Sequence, residues 1–205
     1  TTAFAKSQDA VLAREPNQGL ATTYTTSEYR VTVPYSVVND VTTNNFTLRY
    51  KGRFDSWTYS SSYDYYMFFK RSGSAGAYYG YSFYPYYNGK LRVVLYRNDN
   101  GISFYSTNAV TTVISNDTEH DFVAVITRET ASADGNIKFY IDGVLFDTVT
   151  IPSASTVSLS NGSGNINLVY ASGTSITTKA VSKCFTIFNR ALTAAEVLDL
   201  YRNGI

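Results

Sequence analysis

Apolar and polar residues alternate in short runs along most of the chain, and each run ends at Gly, Asn, Asp or Ser. A period of two puts successive side chains on opposite faces, so these runs predict half-buried β-strands. The clearest runs from Asn136 to Val149: Ile137, Phe139 and Ile141 share one face, and Asp142-Gly143 tolerates the positive φ that a tight hairpin turn needs. Hairpins are also expected at Asn88-Gly89, joining Tyr78–Tyr84 to Leu91–Tyr96, and at Asp99-Asn100-Gly101. Further strands are expected over Tyr29–Val33, Phe46–Lys51, Tyr63–Lys70, Ile102–Thr107, Phe122–Thr127, Ile166–Ala171 and Val181–Phe188, about a dozen in all.

The C-terminus breaks this pattern. Thr193-Ala194-Ala195-Glu196 reads as a capping box, Leu192 and Val197 stand at hydrophobic-staple positions, and Gly204 closes the segment, which predicts a two-turn helix. Asp9 to Arg14 fits a helix or an edge strand before Pro16-Asn17-Gln18-Gly19 interrupts it. Ser72–Gly76 and Ser160–Gly164 read as loops. At 205 residues the chain can bury one sizeable core, so a single all-β domain over residues 1–205 is expected, with 1–22 as an N-terminal extension or edge segment.

Charge narrows the partners. Seventeen Lys and Arg oppose 16 Asp and Glu for a net charge of +1, and no basic block occurs, which argues against nucleic acid and acidic membrane surfaces. No apolar run reaches the roughly 18 to 20 residues of a membrane span, so no membrane insertion is expected. One Cys excludes an internal disulfide, and Cys184 is expected to be a buried, inert thiol. The polar surface must come from 25 Thr, 22 Ser and 15 Asn, a composition suited to an extracellular, cell-surface or virion location.

The order of pieces resembles the concanavalin A-like, laminin-G-like jelly-roll superfamily, in particular its bacterial and phage branch. The residues carrying the resemblance are Phe46-Thr47-Leu48, Gly89-Lys90-Leu91-Arg92, Val123-Ala124-Val125, Lys138-Phe139-Tyr140-Ile141-Asp142-Gly143-Val144-Leu145 and the run from Ile187 through Asn189-Arg190-Ala191-Leu192 to Glu196. Departures occur at Glu119-His120-Asp121-Phe122, where the family commonly has Trp-His-His, and at Cys184, where it often has an acidic residue. The resemblance implies a jelly-roll sandwich of two antiparallel sheets, one concave, with a short C-terminal helix. It implies little about activity, because lectins, glycan-binding modules, hydrolases, lyases, adhesins and capsid decorations share this fold.

Catalysis finds little support in the residues. Glycoside hydrolysis needs two carboxylates flanking the bond, and laminarinase-type members of this superfamily carry them as Glu-x-Asp-x-x-Glu on one strand. The nearest approach here, Glu119-His120-Asp121, has Ala124 at the third acidic position, so no catalytic residue is assigned and the chain is not expected to be an enzyme. One His and one Cys cannot form a usual zinc set. No cofactor is expected; calcium is the one ion the loops could accept, with Asp64, Asp99 and Asn100 as candidates, although Asp and Asn equally suit turns.

The informative cluster is tyrosine. Twelve of the 19 Tyr lie between Trp57 and Tyr105, and strict alternation can bury only about half of them. Tyr84-Pro85-Tyr86-Tyr87-Asn88-Gly89 reads as a hairpin tip with rings facing water. Rings stack on the C–H faces of sugars, and the same amphipathic area suits protein contact. The reading is therefore a non-catalytic carbohydrate-binding or adhesion module using Trp57, Tyr59, Tyr63, Tyr84, Tyr86, Tyr87, Asn88 and Arg97, with a glycan or surface polysaccharide as partner. The alternatives are a structural virion protein, such as a phage capsid decoration, head fibre or tail component, whose aromatic surface mediates self-association or protein contact, and then a polysaccharide hydrolase or lyase.

Overall fold

Each alternating run forms a strand in the computed structural model, which describes residues 5–6, 11–15, 19–23, 29–34, 40–54, 64–99, 101–172 and 180–203. The described strands are β1 (Ala5–Lys6), β2 (Val11–Glu15), β3 (Gly19–Thr23), β4 (Tyr29–Val33), β5 (Phe46–Phe54), β6 (Asp64–Ser74), β7 (Ala77–Pro85), β8 (Lys90–Asp99), β9 (Ile102–Ala109), β10 (His120–Thr127), β11 (Gly135–Ile141), β12 (Val144–Ile151), β13 (Ile166–Ser172) and β14 (Ala180–Phe188). One α-helix, α1 (Ala194–Asn203), follows them among the described residues, and a short 3-10 turn, Val110–Thr112, follows β9. One sheet runs β1-β4-β13-β6-β7-β8-β9 and the other β12-β11-β10-β5-β14-β3-β2. Every strand pair is antiparallel, and the two sheets form a jelly-roll sandwich.

The core lies between the sheets. Phe46, Leu48 and Tyr50 of β5, with Phe122, Ala124 and Ile126 of β10 and Ile137, Phe139 and Ile141 of β11, meet Phe68, Tyr81, Phe83, Leu91, Val93 and Leu95 of the facing sheet. Ring contacts cross the gap at Phe46–Tyr81, 5.3 Å between centroids, and at Phe83–Phe139, 6.2 Å. Burying each such side chain contributes roughly 1.5–3 kcal/mol before chain entropy is counted.

Strand β5 is buried on both faces, which alternation alone does not predict. Its second face carries Thr47 and Arg49, both buried, beneath the C-terminal segment. Thr47 Oγ1 donates to the Arg190 carbonyl at 2.9 Å and accepts from the Leu192 amide at 3.1 Å. Arg49 Nε and Nη2 grip the Asp121 carboxylate at 2.7–3.1 Å, and Nη2 also donates to the Leu200 carbonyl at 2.9 Å. Leu192, Val197 and Leu200 then pack onto Val123, Val125 and Tyr140, so α1 caps the outer face of this sheet.

The predicted capping box forms: the Glu196 amide donates to Thr193 Oγ1 at 3.3 Å, and the Thr193 amide donates to Glu196 Oε2 at 2.8 Å. The paired Arg190 guanidinium, with the Thr193 donors, pulls the Glu196 carboxyl down to about 2. The helix has ten residues rather than two turns; it runs past Leu200, whose carbonyl Arg49 holds, while Gly204 lies outside the described residues.

Other expectations are sharpened. Asp142 and Gly143 take the predicted positive φ of 51° and 77°. Val11–Glu15 resolves as an edge strand paired with β3, not a helix. Ser72 to Ser74 extend β6 rather than forming a loop, whereas Ser160–Gly164 stay irregular. Cys184 is only half-buried, with its Sγ 3.3 Å from Thr186 Oγ1, so it is not the sequestered thiol expected. Buried Lys70 ion-pairs with Asp40, which also accepts from Ser160, tying that irregular stretch to the sheet. Burial, with the Asp40 charge, pushes the neighbouring Tyr81 phenol up.

The Arg49–Asp121 pair is removed from water, so losing one partner strands the other. Asp121→Ala is expected to destabilise the fold by roughly 3–5 kcal/mol in urea unfolding, and an Arg49→Met, Asp121→Leu double variant is expected to recover most of the loss.

Candidate functional site

The pairing of β7, β8 and β9 decides which side chains share the outer face of the tyrosine-bearing sheet. Tyr84 stands opposite Arg92, and Arg92 opposite Tyr105. The next outward row is Phe69, Ser82, Val94 and Ser103, and the one after it is Arg71, Gly80 and Tyr96. Phe83, Val93 and Phe104, one residue out of step, face the core instead. The outer face thus holds an aromatic cluster of Tyr66, Phe69, Tyr84, Val94 and Tyr96, with Tyr78 and Tyr86 packed against it.

Two arginines lie within this cluster. The Arg92 guanidinium is 5.3 Å from the Tyr84 ring centroid, 4.8 Å from Tyr86 and 5.1 Å from Tyr105, and Nη2 donates to Ser103 Oγ at 2.6 Å. The Arg71 guanidinium lies 4.4 Å from Tyr78, 5.2 Å from Phe69 and 5.9 Å from Tyr96. A cation over an aromatic face is worth about 0.5–1 kcal/mol at exposed sites, so each stack orders its arginine at modest cost. Tyr86 joins the groups on either side, 4.4 Å from Tyr87 and 5.2 Å from Tyr105 between centroids.

The expected site residues fall in different places. Tyr86 and Tyr87 are half-buried and Asn88 is exposed at the hairpin end, where Asn88 Oδ1 accepts from the Lys90 amide at 3.1 Å. Tyr84 does not present its ring to water: it is 1% exposed, because its strand position turns it into the aromatic cluster against Tyr66, 4.3 Å between centroids. Arg97 follows Leu91, Val93 and Leu95 on the side of β8 opposite the tyrosine face and donates through Nη1 to Glu129 at 2.7 Å, so it is an internal ion-pair partner rather than part of that face. Trp57, Tyr59 and Tyr63 lie outside the described residues. Arg92, Tyr105, Arg71 and Tyr78 were missed, although alternation through Arg92, Val94 and Tyr96 already puts those three on one face.

Of the calcium candidates only Asp99 has a described side chain. Asp99 Oδ1 accepts from the Arg97 and Gly101 amides at 3.0 and 2.8 Å, closing the β8–β9 turn; Asn100 lies outside the described residues, and Asp64 is described by its backbone alone. Among the described residues no three His, Cys, Asp or Glu side chains gather as a metal site. The acidic stretch before β10 is also dispersed: Glu119 pairs with Lys51 and Lys183, His120 Nδ1 lies 2.7 Å from Asp142, and Asp121 is held by Arg49. Two hollows lie away from the tyrosine face, one of about 450 Å³ beside α1 and one of about 470 Å³ at Val113, Val144 and Leu145.

The model of the concanavalin A-like lectin/glucanases superfamily matches residues 25–198. The chain belongs to this superfamily. No curated protein sequence matches it. Similar solved structures include the botulinum neurotoxin serotype C1 binding domain, at 15% identity and a TM-score of 0.70 over 98% of this chain and 47% of that one. The serotype D ligand binding domain in complex with N-acetylneuraminic acid matches at 13% identity and a TM-score of 0.66, over 98% and 46%. The binding domain of botulinum neurotoxin DC in complex with rat synaptotagmin II matches at 14% and 0.66, over 98% and 46%. This concanavalin A-like chain therefore spans just under half the length of these structures, and at such identities the likeness is one of fold.

Glu129, which holds Arg97, offers a test of that internal placement. Burial alone raises its carboxyl, but hydrogen bonds from Arg128, from its own backbone and from Arg97 outweigh this and hold it below its ordinary 4.5. With the folded value below the unfolded one, the carboxylate stabilises the fold above about pH 4.5, and that contribution is lost as pH falls through the folded value. The stability gap between the native chain and Glu129→Gln, measured by denaturant unfolding, is expected to be widest above that pH and to narrow on acidification.

Proposed function

We propose that the protein is a non-catalytic carbohydrate-binding module acting on an exposed surface, extracellular or on a virion, with Tyr86, Tyr87 and Tyr105 as its stacking platform and Asn88 and Arg92 as its polar partners. The observation that carries this reading is a run of three half-buried tyrosines, with Tyr86 4.4 Å from Tyr87 and 5.2 Å from Tyr105 between centroids, in which the Arg92 guanidinium lies 4.8 Å from Tyr86 and 5.1 Å from Tyr105. Such a group offers apolar faces to sugar C–H surfaces and hydroxyl and guanidinium edges to sugar hydroxyls. Support comes also from the serotype D domain, whose structure is a complex with N-acetylneuraminic acid. The engagement of Glu119 and Asp121 in ion pairs favours binding over hydrolysis, since both carboxylates already have fixed cationic partners.

A second reading, in which the same face contacts protein, draws on the neurotoxin DC domain seen with rat synaptotagmin II. In that form it includes a structural virion component whose tyrosine face joins subunits. Tyrosine serves either role, because its ring supplies large contact area with few rotors to freeze.

Glycan-array screening followed by isothermal titration separates the readings. A saturable sugar response is expected, weakened about tenfold or more by Tyr86→Ala or Tyr105→Ala, which corresponds to about 1.4 kcal/mol or more. No response to any sugar at millimolar concentration, combined with a solution mass showing an obligate oligomer, would overturn the glycan reading in favour of the interface.

A further inference from the structure

Arg71 has no role in the platform just described, and its surroundings set it apart from five of the other arginines. Arg49, Arg53, Arg97, Arg128 and Arg190 each face a carboxylate within 4.0 Å. Arg71 is exposed, and among the described residues no carboxylate lies within that distance of it. Instead its guanidinium rests on aromatic faces, closest to Tyr78 at 4.4 Å.

The register explains how it comes to lie there. Gly80 on β7 stands between Arg71 on β6 and Tyr96 on β8. Its φ of +141° disfavours any other residue, and a Cβ there would overlap the Lys70 carbonyl oxygen, so the position can carry no side chain. Arg71 and Tyr96 therefore meet above bare backbone, 5.9 Å from guanidinium carbon to ring centroid. A guanidinium lying against a ring still donates through its edge, and its planar fork matches the two oxygens of a carboxylate. The stack has also removed much of the freedom that a flexible arginine would lose on binding.

The outward row of Arg92 is four residues along β8 from that of Tyr96, about 13 Å at the usual rise per residue. The two tyrosine-flanked guanidiniums are therefore spaced for successive parts of an extended chain rather than for one small molecule. Taking the glycan reading as its basis, we infer that the ligand is an acidic oligosaccharide carrying sugar carboxylates, of uronate or sialate type. Arg71 anchors a carboxylate, and the Tyr86–Tyr105 platform stacks on a unit farther along the chain.

Calorimetric titration of the full chain tests this with a panel of oligouronates and oligosialates, each beside its carboxyl-reduced form, at low and high salt. At least one acidic form is expected to bind tenfold or more tightly than its reduced partner, with the advantage shrinking as salt screens the charges. Arg71→Gln is expected to abolish that advantage while leaving affinity for the reduced sugar unchanged and lowering the unfolding midpoint only slightly, by the lost ring contacts. Arg71→Lys is expected to restore only part of it, because an ammonium keeps the charge but not the fork. Equal affinity for acidic and reduced forms, or an advantage that survives Arg71→Gln, would overturn the inference and leave the glycan reading standing. Failure of every sugar, reduced forms included, to bind the native chain would remove both.

Discussion

The register of β7 against β8 and of β8 against β9 governs both halves of this molecule. Because side chains alternate with a period of two, pairing Phe83 with Val93 and Val93 with Phe104 sends that row into the core, and it obliges Tyr84, Arg92 and Tyr105 to share the opposite face. A slip of one residue would exchange the two sets, placing a guanidinium between the sheets and apolar side chains on the outer face. The apolar core thus holds the tyrosine–arginine face in place. The outer face in turn is packed rather than loose: Tyr84, Val94 and Tyr96 are buried within it.

The two sheets bury their outer faces by different means. On the β5 sheet, α1 covers Val123, Val125 and Tyr140, and the polar groups beneath it are satisfied by Arg49, Asp121, Thr47 and the carbonyls of Arg190 and Leu200. Such a buried network requires every member to be paired, since a stranded charge there costs several kcal/mol. On the other sheet the aromatic side chains cover one another, with arginines lying across the rings. The first arrangement closes a surface to solvent. The second leaves Arg71 exposed and Tyr86, Tyr87 and Tyr105 half-buried, while hollows of about 450 and 470 Å³ lie away from this face.

Local signals in the chain carried the strands, turns and helix well. Asp142-Gly143 takes the turn its residues favour, and Thr193 with Glu196 makes the reciprocal cap, because both depend on contacts within a few residues. The site was legible only in part. Tyr86, Tyr87 and Asn88 lie at the hairpin end as expected, but Tyr84, two residues earlier, belongs to the strand and turns inward to Tyr66, eighteen positions away in sequence. Arg97 looked like a surface group and is instead the partner of Glu129, a pairing created by the approach of a segment more than thirty residues distant. Alternation with Val93 and Leu95 already turns Arg97 away from the tyrosine face; the carboxylate it meets there is decided by tertiary packing.

Sequence alone determined the all-β class, the positions of the hairpins, the C-terminal cap and the concentration of tyrosine between Trp57 and Tyr105, because each follows from periodicity or from the preferences of neighbouring residues. Tertiary structure decided which tyrosines are covered, that Arg71 and Arg92 lie across rings while Arg97 and Arg49 enter ion pairs, and that β5 is buried on both faces. Those outcomes depend on strands brought together from distant parts of the chain. An arginine has the same side chain in every case; whether it meets a ring, a carboxylate or a ligand is settled by what the register places across from it.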